Sequence, residues 1–230
     1  TPDLPKQMKA LKRISKSEKE LSDGIFLSHA HIGHYTGLMY LGKEAMDSKK
    51  VKVFAMPKMK SFLETNGPWS QLVKRENIQI QQMETEKAVS LSSSIQVTPF
   101  EVPHRDEYSE TVGYKISGPN KSALFIPDID KWEKWTVTID SLLQQVDVAF
   151  LDATFFDGSE LPGRNLSEIP HPTVRETMER AQSWPHSVRQ KVHLIHFNHT
   201  NPLLQEGSIA YKNLAAFGFQ LSRVGDSIQL

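Results

Sequence analysis

Two hydrophobic periods alternate along this chain. Leu4, Met8, Leu11 and Ile14 recur at helical spacing among lysines, which predicts an amphipathic helix over Pro5–Ser17. Gly24-Ile25-Phe26-Leu27-Ser28 is a short apolar run read as a strand, and a helix is expected from Tyr35 to about Asp47. Val51–Ala55 then reads as a strand and Pro57–Leu63 as a short helix, closed by the breaker Asn66-Gly67-Pro68. This strand–helix rhythm predicts parallel strands covered by helices. From Ile78 to Ile126 a period of two takes over, in Ser94–Phe100, Thr111–Ile116 and Ser122–Ile126, and predicts antiparallel strands with a turn at Gly118-Pro119-Asn120. The first rhythm returns with a strand at Val146–Leu151, a helix from Pro172 to about Ser183, a strand at Lys191–Phe197, a helix over Gly207–Ala216 and closing strands near Phe219 and Ile228. Two mixed sheets with helices outside, an αββα sandwich of the α/β class, fit this order, and 230 residues suffice for one domain with a real core.

Composition narrows the chemistry more than the fold. Lys plus Arg equals Asp plus Glu at 27 each, so net charge gives no pull toward nucleic acid or an anionic membrane, and a small-molecule substrate is expected. The lysine-rich first helix is read as a solvated face, with phosphate steering as the other reading. No apolar run approaches the roughly 20 residues of a membrane span, no signal peptide is visible, and a cytoplasmic location is slightly favoured. Cys 0 removes disulfides and thiolate ligands, so a metal must be held by His, Asp or Glu. Trp69, Trp132 and Trp135 lie in polar neighbourhoods and are read either as the mouth of a substrate site or as half-buried core aromatics. The oligomeric state is open.

Three of the nine histidines, His29, His31 and His34, fall within six residues directly after the run ending at Ser28. In an extended segment side chains at i and i+2 leave the same face, so His29 and His31 can aim at one point. His34 belongs to the first turn of the following helix. Two imidazoles from a strand end and one from a helix start gather nitrogen donors for a borderline-soft cation such as zinc. Three exposed loop histidines are the alternative.

His29-Ala30-His31-Ile32-Gly33-His34 resembles the His-x-His-x-Asp-His signature of the metallo-β-lactamase superfamily, with Gly33 where that family has an aspartate ligand of a second metal. The resemblance implies further ligands. His104, after the strand ending Glu101-Val102-Pro103, matches the lone histidine that completes the first metal site. Asp128, after Ala123–Pro127, matches the bridging aspartate, and His196 matches the last histidine ligand. The family also places several strands before its histidine motif, whereas 28 residues precede His29 here, which predicts an N-terminally truncated or processed chain. The string Leu194-Ile195-His196-Phe197-Asn198-His199-Thr200-Asn201-Pro202 is similar to the C-terminal signature of the coenzyme PQQ synthesis protein B branch. Asp152-Ala153-Thr154-Phe155 with His171-Pro172 is similar to motifs of that branch and of the tRNA 3′-processing endonucleases, where the acidic residue and histidine protonate the leaving group. His193 is expected to be structural, His199 to support a ligand, and His186 to lie on the surface.

These readings imply one zinc site on His29, His31 and His104, and a second, weak or absent, on Asp128, His34 and His196. Iron or manganese are the other candidate metals. A water on zinc would ionise near neutral pH, its pKa lowered to about 7. Asp128 would orient it, and His171, held by Asp152, would protonate the leaving group. The first functional reading is therefore a hydrolase of an ester, amide or phosphodiester. The second is an iron-dependent oxidation, implied by the PQQ synthesis branch and compatible with histidines plus a carboxylate. The third is a metal-stabilised binding module without turnover.

Overall fold

The structure is a computed structural model describing residues 1–230. Contacts divide the chain into two compact units, residues 1–87 with 106–112, and residues 88–105 with 113–230.

The first unit opens with α1 (Leu4–Ser15), β1 (Gly24–Phe26) and α2 (Ile32–Tyr35). The single helix expected from Tyr35 to Asp47 is not formed. A 3₁₀ helix over Thr36–Leu41 follows α2 instead. Thr36 Oγ1 bonds back to Ile32 O at 2.7 Å, a bond that bends helices. Gly37 also lies so close to Thr1 that a Cβ there would stand 2.2 Å from its carbonyl oxygen. Next come β2 (Val51–Ala55), α3 (Pro57–Thr65), α4 (Trp69–Lys74) and β3 (Ile78–Gln82). The strands form a sheet in the order β1-β2-β3, parallel throughout. Ile78–Gln82 therefore belongs with the strand–helix half, not with the antiparallel strands predicted from Ile78 onward. Parallel neighbours need a crossover, and α3 with α4 supplies it. Leu27, Leu41, Val53, Met59, Leu63 and Ile78 form the core of this unit. Trp69 packs edge-on against Tyr35 at 4.9 Å.

The second unit holds β4 (Val89–Ser90), β5 (Gln96–Glu101), β6 (Val112–Ser117), β7 (Ser122–Ile126), α5 (Ile139–Leu143), β8 (Val148–Asp152), α6 (Val174–Arg180), α7 (His186–Arg189), β9 (Val192–Ile195), α8 (Ile209–Phe217) and β10 (Gln220–Leu221). Its seven strands are ordered β10-β9-β8-β7-β6-β5-β4. As predicted, β6 and β7 are antiparallel, while β7, β8, β9 and β10 run parallel. β8 is almost continuously apolar, as befits a central parallel strand covered on both faces. The strand expected near Ile228 is absent: the chain leaves the sheet after Leu221 and turns at Gly225, φ +108°. Leu124, Ile126, Leu143, Leu151 and Leu194 anchor this core. Trp132 joins it, buried, its Nε1 donating to Thr177 Oγ1 at 3.0 Å, and Trp135 packs against it. The core reading of the tryptophans prevails. No helix is long and apolar enough to cross a membrane.

Candidate metal centre and its proton-carrying pair

Register decides where the chemistry gathers in the second unit. Ile126 lies opposite Leu151, and Asp152 lies opposite Ile195. Asp128, Asp152 and His196 thus emerge together at the carboxyl ends of three adjacent parallel strands, the end at which open α/β sheets hold ligands. His196 itself has φ +63°, a backbone strain concentrated at functional positions. His104 follows β5, and the turn after it is tied to the Asp128 loop by Asp130 N donating to Pro103 O at 2.7 Å.

Asp152 is fully buried. One carboxylate oxygen accepts from Thr154 N at 2.9 Å and Thr154 Oγ1 at 2.6 Å, and lies 3.2 Å from His196 Nδ1. The other lies 2.8 Å from His171 Nδ1 and accepts from Ile129 N at 3.3 Å. A carboxylate has about four lone-pair sites, so this one is filled by protein donors and serves to orient the two rings. His171 Nδ1 is also 3.1 Å from Asp128 Oδ1. Burial alone lowers the His171 pKa, but the hydrogen bonds and charges of Asp128 and Asp152 outweigh it and lift the ring to about 10. Burial likewise pushes the Asp152 carboxyl up, and the His171 and His196 imidazoles more than reverse this, leaving it below its ordinary value. His196 is also raised, its burial overcome by Asp152.

Thr154 is the residue that the sequence reading quoted without giving it a role. Its hydroxyl donates to Asp152 and stands 2.8 Å from His196 Nδ1. With its proton committed to the carboxylate, the hydroxyl accepts from the Nδ1–H of the ring. Asn201, buried, was missed as well. Its Nδ2 donates to Ala153 O at 2.8 Å and to Thr154 O at 3.3 Å, and its Oδ1 accepts from Leu203 N at 3.0 Å. No spacing rule relates Asn201 to Thr154. Only an unusually dense Asn/His string hinted at it.

The donors suit a divalent cation. His104 Nε2 and Asp128 Oδ1 lie 3.4 Å apart with side chains 1% and 4% exposed. Two ligands of a tetrahedral zinc, each at about 2.0–2.1 Å, lie roughly 3.3 Å apart. Ligand atoms of Asp128 and His196 also lie within 4.8 Å of one another.

In the first unit the triad is brought together. His29 is buried, and its Nε2 lies 2.9 Å from His31 Nδ1. The His34 ring stacks obliquely on that of His29 at 4.2 Å between centroids, from the short α2 and not from the first turn of the longer helix expected after it. A Cβ on Gly33 would meet nothing within 4 Å, so no packing demands glycine there. Of the other histidines, His193 is half-buried against Phe150, and burial lowers its pKa. His186 and His199 are exposed.

Comparison with known proteins bears on this arrangement. A family model described as the β-lactamase superfamily domain matches residues 1–197. Coenzyme PQQ synthesis protein B of Nitrosococcus oceani is 23% identical over 234 residues, covering 90% of this chain and 74% of that protein. Among solved structures, Zn(2+)-bound PqqB from Methylobacterium extorquens superposes with a TM-score of 0.78 at 18% identity, over 100% of this chain and 81% of that one. A diphosphatase from the PhnP family gives 0.57 at 19% identity, over 96% and 74%. These likenesses establish the metallo-β-lactamase fold.

Proposed function

Because the chain belongs to the β-lactamase superfamily, and its likeness to the PQQ synthesis protein B branch runs along most of its length, we propose that it is a metal-dependent hydrolase of a small ester, amide or phosphodiester. The observation that carries this reading is His171, gripped at Nδ1 by Asp152 at 2.8 Å and Asp128 at 3.1 Å. Metal ligands are assigned to His29, His31, His34, His104, Asp128 and His196, with zinc as the cation and the second site weak for want of a carboxylate at position 33. Bound there, zinc would polarise the electrophilic oxygen and lower the pKa of water to about 7.

The protein side chains do the rest. Asp152 holds the His171 ring with Nδ1–H directed inward, which turns Nε2 outward as the proton donor to the leaving group. Asp128 receives the same Nδ1–H and aligns the attacking water through its other lone pairs. Thr154 and Asn201 keep the Asp152 turn from shifting. Positioned proton transfer is worth about 10²–10⁴-fold, so His171→Ala is expected to lower kcat by that factor with zinc content unchanged. Turnover of a broad ester, lactam and phosphodiester panel by zinc-loaded protein tests the reading; silence on every substrate overturns it.

A second reading, an iron-dependent oxidation, is supported by a donor set of histidines with one carboxylate, which suits iron. It expects oxygen consumption when iron is added and none with zinc. In either case the reading takes residues 1–230 as one domain acting on a small molecule.

A further inference from the structure

We infer that Glu107 is a positioning residue for the histidine triad: its carboxylate commits His31 to the tautomer in which Nδ1 carries the lone pair. The inference deepens the proposed reading of the triad as part of a cation site and rests on it.

The segment that carries Glu107 is laid against the triad by two hydrogen bonds and braced by a third within itself. Ala30 N donates to Ser109 Oγ at 2.8 Å, Val112 N donates to Ser28 O at 3.0 Å, and Ser109 Oγ donates to Glu110 O at 2.9 Å. Glu110 in turn accepts from Lys58 N and Met59 N at the start of α3, so the segment is held from both sides. Glu107 Oε2 then lies 2.9 Å from His31 Nε2, across 76 residues of sequence.

An ionised carboxylate only accepts. The ring proton of His31 therefore sits on Nε2, and Nδ1, 2.9 Å from His29 Nε2, holds a lone pair. His29 Nδ1 lies 3.1 Å from Ser28 Oγ. Where that hydroxyl donates to His29 Nδ1, His29 Nε2 carries a proton and gives it to His31 Nδ1; where it accepts, His29 Nε2 holds a lone pair beside that of His31. In both arrangements Glu107 leaves the lone pair of His31 on Nδ1, the nitrogen that faces His29. Without Glu107, the His31 proton can move to Nδ1, which then offers no lone pair. The carboxylate also sets a negative charge beside a triad whose own segment, with Gly33, has none. A carboxylate behind a ligating imidazole raises the basicity of that ligand and fixes its orientation.

The test uses Glu107→Ala and Glu107→Gln in the full chain, each compared with the parent by circular dichroism to verify folding. Long-range ¹H–¹⁵N spectra of the histidine rings in metal-free protein report the tautomer directly. The parent is expected to show His31 as Nε2–H, and Glu107→Ala a shift toward Nδ1–H. Competition of Zn²⁺ against a chromophoric chelator is expected to show affinity weakened about 10–100-fold in Glu107→Ala, and less in Glu107→Gln, whose amide oxygen still accepts. A folded Glu107→Ala with the parental tautomer, or with Zn²⁺ affinity within twofold of the parent, overturns the inference. A parent that binds no Zn²⁺ overturns the cation-site reading instead, and the ring spectra then decide Glu107 alone.

Discussion

Single atoms carry much of the site, and Thr154 is the sharpest case. Its hydroxyl serves Asp152 and faces His196, so Thr154→Val keeps the shape and strips one donor and one acceptor from a buried network. Unmet buried polar groups cost about 1–3 kcal/mol, and denaturant melts should show a loss of that size, largely recovered by Thr154→Ser. Gly33 offers the opposite experiment. Open space surrounds its missing Cβ, so Gly33→Asp should fold with stability within about 0.5 kcal/mol of the parent, as surface substitutions usually do. If the proposed ligand set is correct, elemental analysis should find more metal per chain in Gly33→Asp than in the parent.

At the scale of elements, α6 and its neighbours hold the proton-carrying pair. The helix opens with a capping box in which Thr173 accepts from Glu176 N at 3.1 Å and Glu176 accepts from Thr173 N at 2.6 Å. Thr173 lies two residues after His171, so Thr173→Ala should cost about 1 kcal/mol and lower turnover as the ring loosens. The far end of α6 is tied to α5, where Arg180 Nε donates to Asp140 at 2.8 Å. Burial pushes the Asp140 carboxyl up, but Arg180 and Trp184 bring it below its ordinary value. A carboxyl depressed in the folded state favours folding above its unfolded pKa of about 3.9, and that contribution fades as pH falls through the lower folded value. Stability of the parent should therefore drop below about pH 4, with a smaller drop in Asp140→Asn, as urea titrations at graded pH would show. The helices also mark where periodicity misled. Tyr35 to Asp47 has the right hydrophobic spacing, yet Thr36 and Gly37 answer to local back-bonding and to the close approach of Thr1.

For the molecule as a whole, the domain reading and the metal reading meet in one measurement. One domain spanning residues 1–230 predicts a single calorimetric transition. Zinc at 100 times its dissociation constant should add about 2.7 kcal/mol and raise the melting temperature, with a chelator reversing the shift. Two resolved transitions would assign separate stabilities to the two compact units.

Most of the strands, the α/β class and the histidine triad were legible in the chain, and the family resemblance added the strand-end positions of His104, Asp128 and His196. Strands and triad repeat over a few residues, so local spacing suffices to read them, whereas His104, Asp128 and His196 are single residues that only the family pattern picks out. Tertiary structure alone decided that Ile78–Gln82 joins the parallel sheet, that Asp152 is saturated by Thr154, Ile129 and His171, and that Asn201 and Glu107 act as supports. Each of these depends on a partner brought near by strand register or by a returning loop. A hydrogen bond across 76 residues leaves no periodic trace in the chain that makes it.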